Sequence, residues 1–159
     1  SGFQEIYIFK QRIIKLKTMN ELEILNYYQL AFVANAIYCL TFAVLIFITF
    51  RLVRFQRENN ANTFGKVLVT IFGLCTVFFG YNVFSYLYNS QLAQSYRLSE
   101  LLSNGAELSE VTKSFIDFTG YSVADGWPPA FIPEPAALVF IITFAVMVVA
   151  GVWVNLSKN

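Results

Sequence analysis

The side chains that could do chemistry in this chain are few and scattered. Asp117 and Asp125 are the carboxylates best placed to act as a general acid or base. They lie in a stretch that also holds several other acids. The chain contains no histidine, which removes the commonest metal ligand and the usual general base at neutral pH. No serine stands in a nucleophile-elbow pattern, and no glycine-rich loop could cradle a phosphate. Cys39 and Cys75 both fall inside apolar runs without ligand spacing, so they read as small packed or lipid-facing residues. A solvated acidic surface is therefore the expected role of Asp117 and Asp125. The chain is expected not to be an enzyme on its own, although it could be a subunit of one. Its side chains are expected to hold no metal and no cofactor; a bound lipid is the one ligand the composition leaves room for.

The elements around these residues follow from the distribution of charge. Of 159 residues, 57% are hydrophobic and only 13% charged, about half the charged share of an ordinary soluble domain. Between Lys66 and Arg97 there is no formal charge over Val67 to Tyr96. About 20 apolar residues cross a bilayer core, so this run can cross and continue beyond it. A second charge-free run lies between Glu23 and Arg51, with Tyr27 and Tyr28 at its entrance. A third follows Pro135, a favourable first-turn residue, and ends near Trp153. The expected fold is an all-α integral membrane protein with three transmembrane helices, spanning about 28–52, 66–90 and 135–156. These make a single membrane domain over 27–159, behind an N-terminal segment 1–26. Within that segment residues 1–18 carry Phe3, Ile6, Phe9, Ile13 and Leu16 at helical steps, among Lys10, Arg12, Lys15 and Lys17. They read either as a basic interfacial helix or as a non-native extension, because Met19 opens a natural start.

Each span carries a stripe of small or polar residues. In the second, Thr70, Gly73, Val77, Gly80 and Phe84 share one arc, with Leu68, Phe72, Cys75, Phe79 and Tyr86 opposite. Small residues let helix backbones approach, so Thr70, Gly73 and Gly80 mark a predicted helix contact. Asn82 is predicted to bond to a neighbouring helix, with a pore-lining role as the lesser reading. Asn35 in the first span needs a partner in hydrocarbon and should face protein. Ala136, Thr143 and Ala150 repeat at seven residues in the third span and predict another seam.

The outer loop, 91–134, should continue the second helix to about residue 103, where Asn104-Gly105 is a stop signal. A short helix is expected over 108–118, capped by Ser109 and closed by Gly120. The next stretch, 119–135, holds all four prolines together with Tyr121, Trp127 and Phe131. It should fold back onto the membrane surface or the extended second helix, and these three aromatics read as a docking loop.

Charge sets the direction. Arg51, Arg54, Arg57 and Lys66 against Glu58 give residues 51–66 a net charge of +3. Residues 87–134 carry six acids against Arg97 and Lys113, a net charge of −4. Under the positive-inside rule the 51–66 loop and the C-terminus are cytoplasmic and the N-terminus is outside. The membrane is a plasma membrane (the inner one in a bacterium) or that of an organelle. The expected role is a small non-catalytic membrane subunit or accessory protein packed within a larger complex. Alternatives are an oligomeric channel or transporter component with an uncharged pore, and a membrane-embedded lipid- or pigment-binding protein. The expected partners are membrane lipids and other membrane protein subunits, with no nucleic acid, since no basic patch interleaves with exposed aromatics.

Overall fold

The computed structural model describes residues 20–129 and 131–154; the segment 1–18 lies outside the described residues. The chain is helical, with no strand among the described residues. α1 covers Glu21–Glu58, α2 Thr63–Ser103, α3 Glu110–Thr119 and α4 Pro135–Trp153, with a 3-10 turn at Val123–Asp125. Three of these, α1, α2 and α4, are long and apolar enough to cross a membrane.

The helix ends are written locally. Asn20 accepts from the Glu23 amide at 2.9 Å while Glu23 accepts from the Asn20 amide at 3.1 Å. This reciprocal box satisfies two backbone donors at the start of α1. α1 ends at Asn60, whose φ of 48° is tolerated because asparagine visits the left-handed region more readily than most residues. The Asn60 amide donates to the Arg57 carbonyl and the Ala61 amide to the Gln56 carbonyl, the paired closure of a Schellman end. Asn62 then accepts from the Gly65 amide at 2.9 Å and caps α2. The same closure recurs after α2. Gly105 donates to Leu102 and Ala106 to Leu101, with Gly105 at a φ of 85°. α3 is capped by Ser109 and closed by left-handed Gly120, which donates to Ile116. α4 begins at Pro135, where no amide hydrogen is needed.

By its contacts the chain forms two compact units, and α1 and α2 contribute to both. One unit comprises 33–89 and 131–154 among the described residues. Here α1 and α2 run antiparallel and α4 runs parallel to α1, as the ring contacts show. Phe42 meets Phe84, Phe140 and Phe144 edge-on at centroid distances of 5.8, 6.4 and 6.2 Å. Phe50 meets Phe144 at 5.5 Å. Edge-to-face rings gain electrostatically over simple burial. In the other unit, residues 20–32 and 90–129, Ile24, Tyr28, Ala93 and Leu98 form a core. Phe115 and Ile116 of α3 pack against it.

Candidate functional site

In the unit of residues 33–89 and 131–154, the glycines of α2 define where the helices meet. A Cβ on Gly80 would run into the Phe42 ring, and one on Gly73 into the Val148 side chain. Phe42 and Val148 are themselves buried. One turn along, Thr49 and Thr76 bring their hydroxyl oxygens to 3.3 Å. Thr49 donates to the Leu45 carbonyl at 2.7 Å and Thr76 to that of Phe72 at 3.1 Å. One proton per hydroxyl cannot serve all three contacts. The shorter bond holds the Thr49 proton, and Thr76 divides its own between Phe72 and Thr49. Beyond this layer the Trp153 indole donates to Thr70 at 3.0 Å, and Arg57 donates to the Val154 carbonyl. Gln56 is buried, and neither amide atom of its side chain has a partner among the described residues.

The polar and small residues singled out in the sequence take different places. Asn35 is buried and its amide lies 3.7 Å from the Cys39 sulfur, a weak contact. Thr70 accepts from Trp153, as above. Asn82 is exposed and donates to Phe78 of its own helix at 2.8 Å. Thr143 is exposed and donates to Val139 of its own helix at 2.8 Å. Ala136 is exposed and Ala150 half-buried. The buried stripe of α4 is instead Ile141, Phe144, Val148 and Val152. The physical reason is that glycines on one helix call for bulk on its partner, and Val148 fills the hollow at Gly73. Arg51, Arg54 and Arg57 are exposed and Lys66 half-buried, with Arg54 held by Glu58 at 2.7 Å. Phe131 is exposed in the left-handed region at φ 45°, and its carbonyl accepts from the Tyr81 hydroxyl at 3.0 Å. An apolar groove of about 430 Å³ is lined by Leu74, Val77, Phe78, Tyr81 and Ile141.

In the unit of residues 20–32 and 90–129, the chain after α3 folds back onto α2, one of the two places the sequence allows for it. Ser95 donates to the Tyr121 carbonyl at 2.6 Å, and Ser99 accepts from the Val123 amide at 2.9 Å. Ser122 and Asp125 then cap each other across the 3-10 turn. The turn delivers Trp127 against Tyr96 at 5.3 Å, with the Arg97 guanidinium 4.9 Å from the indole centroid. Cation–π contacts of this kind add about 0.5–1 kcal/mol at exposed sites. Among these residues Asp125 is used as a cap, and Asp117 stands exposed on α3.

The same unit holds a carboxylate whose role the sequence did not signal. Glu21 accepts from the Ser109 amide at 3.2 Å, from the Ser109 hydroxyl at 2.6 Å and from the Thr112 hydroxyl at 2.5 Å. It thus joins the first turn of α1 to the first turn of α3. The Ser109 hydroxyl bond, then that of Thr112, holds the Glu21 carboxyl below its ordinary value of 4.5, while partial desolvation opposes them. A depressed pKa means this clamp contributes fully above pH 4.5 and is lost as pH falls through the lowered value. Acidification below pH 4.5 is therefore expected to speed amide exchange in the first turn of α3. In Glu21→Gln that step should be missing. An unchanged acid response in Glu21→Gln would remove the clamp from this account.

No three or more histidine, cysteine, aspartate or glutamate side chains come together as a metal site among the described residues. Compared with protein-family models, curated proteins and solved structures, the chain matches none.

Proposed function

We propose that the chain is a small, non-catalytic integral membrane subunit that packs within a larger membrane protein complex. The observation that carries this reading is how little its apolar helices cover one another. In the most apolar stretch of α1 only 11% of residues are buried inside the chain, and in α2 and α4 only 22%. Phe47, Phe78, Ile37 and Val146 all face outward. Patches of this extent need a cover of lipid or protein. Lipid alone covers the aliphatic surface, and two buried polar side chains, Gln56 and Ser85, have no hydrogen-bond partner among the described residues. The buried Gln56 amide lacks a partner, and an unpaired buried amide costs about 1–3 kcal/mol.

In this reading α1, α2 and α4 cross the bilayer. A 41-residue α2 is about 60 Å long at 1.5 Å per residue, twice the hydrocarbon thickness, so it continues into water. The charge difference supports a topology with the 51–66 loop and the C-terminus cytoplasmic and the N-terminus outside, and the proposed location is a plasma (bacterial inner) or organelle membrane. Catalysis, metal and cofactor are no part of the proposed role, and the partners are lipids and other membrane subunits. The Trp127–Arg97–Tyr96 cluster is the docking surface outside the bilayer.

Mild-detergent purification from the native membrane tests this. A stoichiometric larger partner that travels with the chain supports the reading, whereas a monomer saturated with lipid sinks it. A homo-oligomer of defined size would favour the channel instead, and one observation gives that reading substance. Asn82 and Thr143 are exposed polar side chains on apolar helices, as residues lining a pore between copies would be. Asn82→Leu should then alter conductance in a reconstituted bilayer; unchanged conductance removes Asn82 from any pore.

A further inference from the structure

The contact between α2 and α4 opens to one side. Counted at about 100° per residue from Gly73, Thr70, Leu74, Val67 and Ile71 lie roughly 60–160° round α2. Counted from Val148, which fills the hollow at Gly73, Val149, Trp153 and Val146 lie roughly 100–160° round α4 in the same sense. The two helices are antiparallel, so one sense of rotation leads both sets to the same side. Val67, Ile71 and Leu74 are exposed there, as are Val146, Val149 and Trp153. They wall an apolar trough. At one end it runs into the groove of about 430 Å³ that Leu74 shares with Ile141. At the other the Trp153 indole meets Thr70 at 3.0 Å, and Lys66 stands one turn further along α2. Lys66 is half-buried, yet it has no ion-pair partner among the described residues. Glu58, the acid of the 51–66 loop, is taken by Arg54.

We propose that this trough holds one anionic phospholipid, with its phosphate on the Lys66 ammonium and an acyl chain laid along Val67, Ile71 and Leu74. The site rests on the reading that α2 and α4 cross the bilayer. α4 has 19 residues, about 28 Å of helix against a hydrocarbon core of about 30 Å. Trp153, its last residue, then falls at the boundary that indole rings favour. Thr70 is level with Trp153 through their hydrogen bond, so Lys66, one turn beyond, falls among the headgroups. From Lys66 to Leu74 is about 12 Å along α2, and one leaflet is about 15 Å deep. An acyl chain anchored at Lys66 therefore reaches the groove. Charge selects the headgroup. Residues 51–66 carry a net charge of +3, which attracts an anionic headgroup, whereas a zwitterionic one brings an ammonium to the same place. Basic pockets between transmembrane helices hold anionic headgroups on these grounds. A soluble phosphate would satisfy Lys66 but leave the trough uncovered.

The test reads Trp153 fluorescence in the full-length chain, with Trp127→Phe leaving it as the single tryptophan, in bilayers of phosphatidylcholine. A minor share of the lipid carries bromine on its acyl chains, which quenches an indole on contact. Brominated phosphatidylglycerol should quench Trp153 about fivefold more effectively than the same share of brominated phosphatidylcholine, the preference that one cation supplies near a membrane surface. Lys66→Gln should bring the ratio close to one. Arg54→Gln removes the same charge from the loop and should leave the ratio high. Equal falls in the two variants overturn the site in favour of a diffuse field. Equal quenching by the two lipids in the chain with Lys66 intact also overturns it, while α4 still crosses the bilayer; this comparison stands even if Lys66→Gln fails to fold. Quenching by neither lipid overturns the membrane reading together with the site. Loss of the preference in excess inorganic phosphate overturns it in favour of a soluble anion.

Discussion

Gly80→Ala is expected to lower stability by about 1–3 kcal/mol, although alanine suits a helix interior better than glycine by about 1 kcal/mol. The steric term wins because of what the new methyl meets. It would overlap the Phe42 ring, and that ring is held edge-on by Phe84, Phe140 and Phe144. With three rings around it, Phe42 has nowhere to move, so the helices must part. Equilibrium unfolding in mixed micelles measures the loss. The companion variant Phe42→Leu frees the same volume, so Gly80→Ala with Phe42→Leu should lose less than the two single losses added. A strictly additive double variant would show that the ring and the glycine are not partners. Ile71→Ala, on the exposed side of α2, should change little by comparison.

Leu98→Ala should have the largest effect in the unit of residues 20–32 and 90–129, a loss of about 2–5 kcal/mol. Leu98 has no exposed surface, and its neighbours Ile24, Tyr28 and Ala93 are buried beside it. The hole left by the missing atoms cannot close easily, because the surrounding backbone is tied at Ser95 and Ser99 to the segment after α3. Trp127 packs on Tyr96 and Arg97, either side of which Leu98 fixes the helix face. In a Trp153→Phe background its emission should therefore shift to the red at lower denaturant in Leu98→Ala. Coincidence of the two curves would show that Leu98 does not support this surface.

The helices, their ends and their order were legible in the sequence because each rests on local rules. Charge-free runs gave the three long helices, Asn104-Gly105 the end of α2, and Ser109 with Gly120 the bounds of α3. The Asn20–Glu23 box is equally readable, from an amide and a carboxylate three positions apart. The packing surfaces were only half legible. Gly73 and Gly80 stand out among large neighbours, so a close approach on that arc of α2 could be inferred. What fills the hollow could not, since an apolar helix such as α4 offers large residues all round. Reading α4 for small residues, as for α2, points to Ala136, Thr143 and Ala150. Complementary shape demands the opposite, and Val148 sits where Gly73 leaves space. Contacts between residues far apart in sequence left no local trace at all. Glu21 with Thr112 and Arg97 with Trp127 exist only because the fold brings them together.

The threonine pair has a bearing on how such a chain is assembled at all. Thr41, Thr49, Thr70, Thr76 and Thr143, and Asn82, each give a proton to a carbonyl one turn back on their own helix. A polar group so satisfied carries its partner with it into hydrocarbon and needs no neighbour in order to be inserted. In the proposed membrane reading, each long helix can then enter the bilayer singly, in chain order. Recognition between helices then rests on shape, with Phe42 and Val148 filling the glycine hollows of α2, together with the Thr49–Thr76 and Trp153–Thr70 contacts. With Ser85, whose buried hydroxyl also has no partner among the described residues, Gln56 is an exception. Its amide waits for something besides shape.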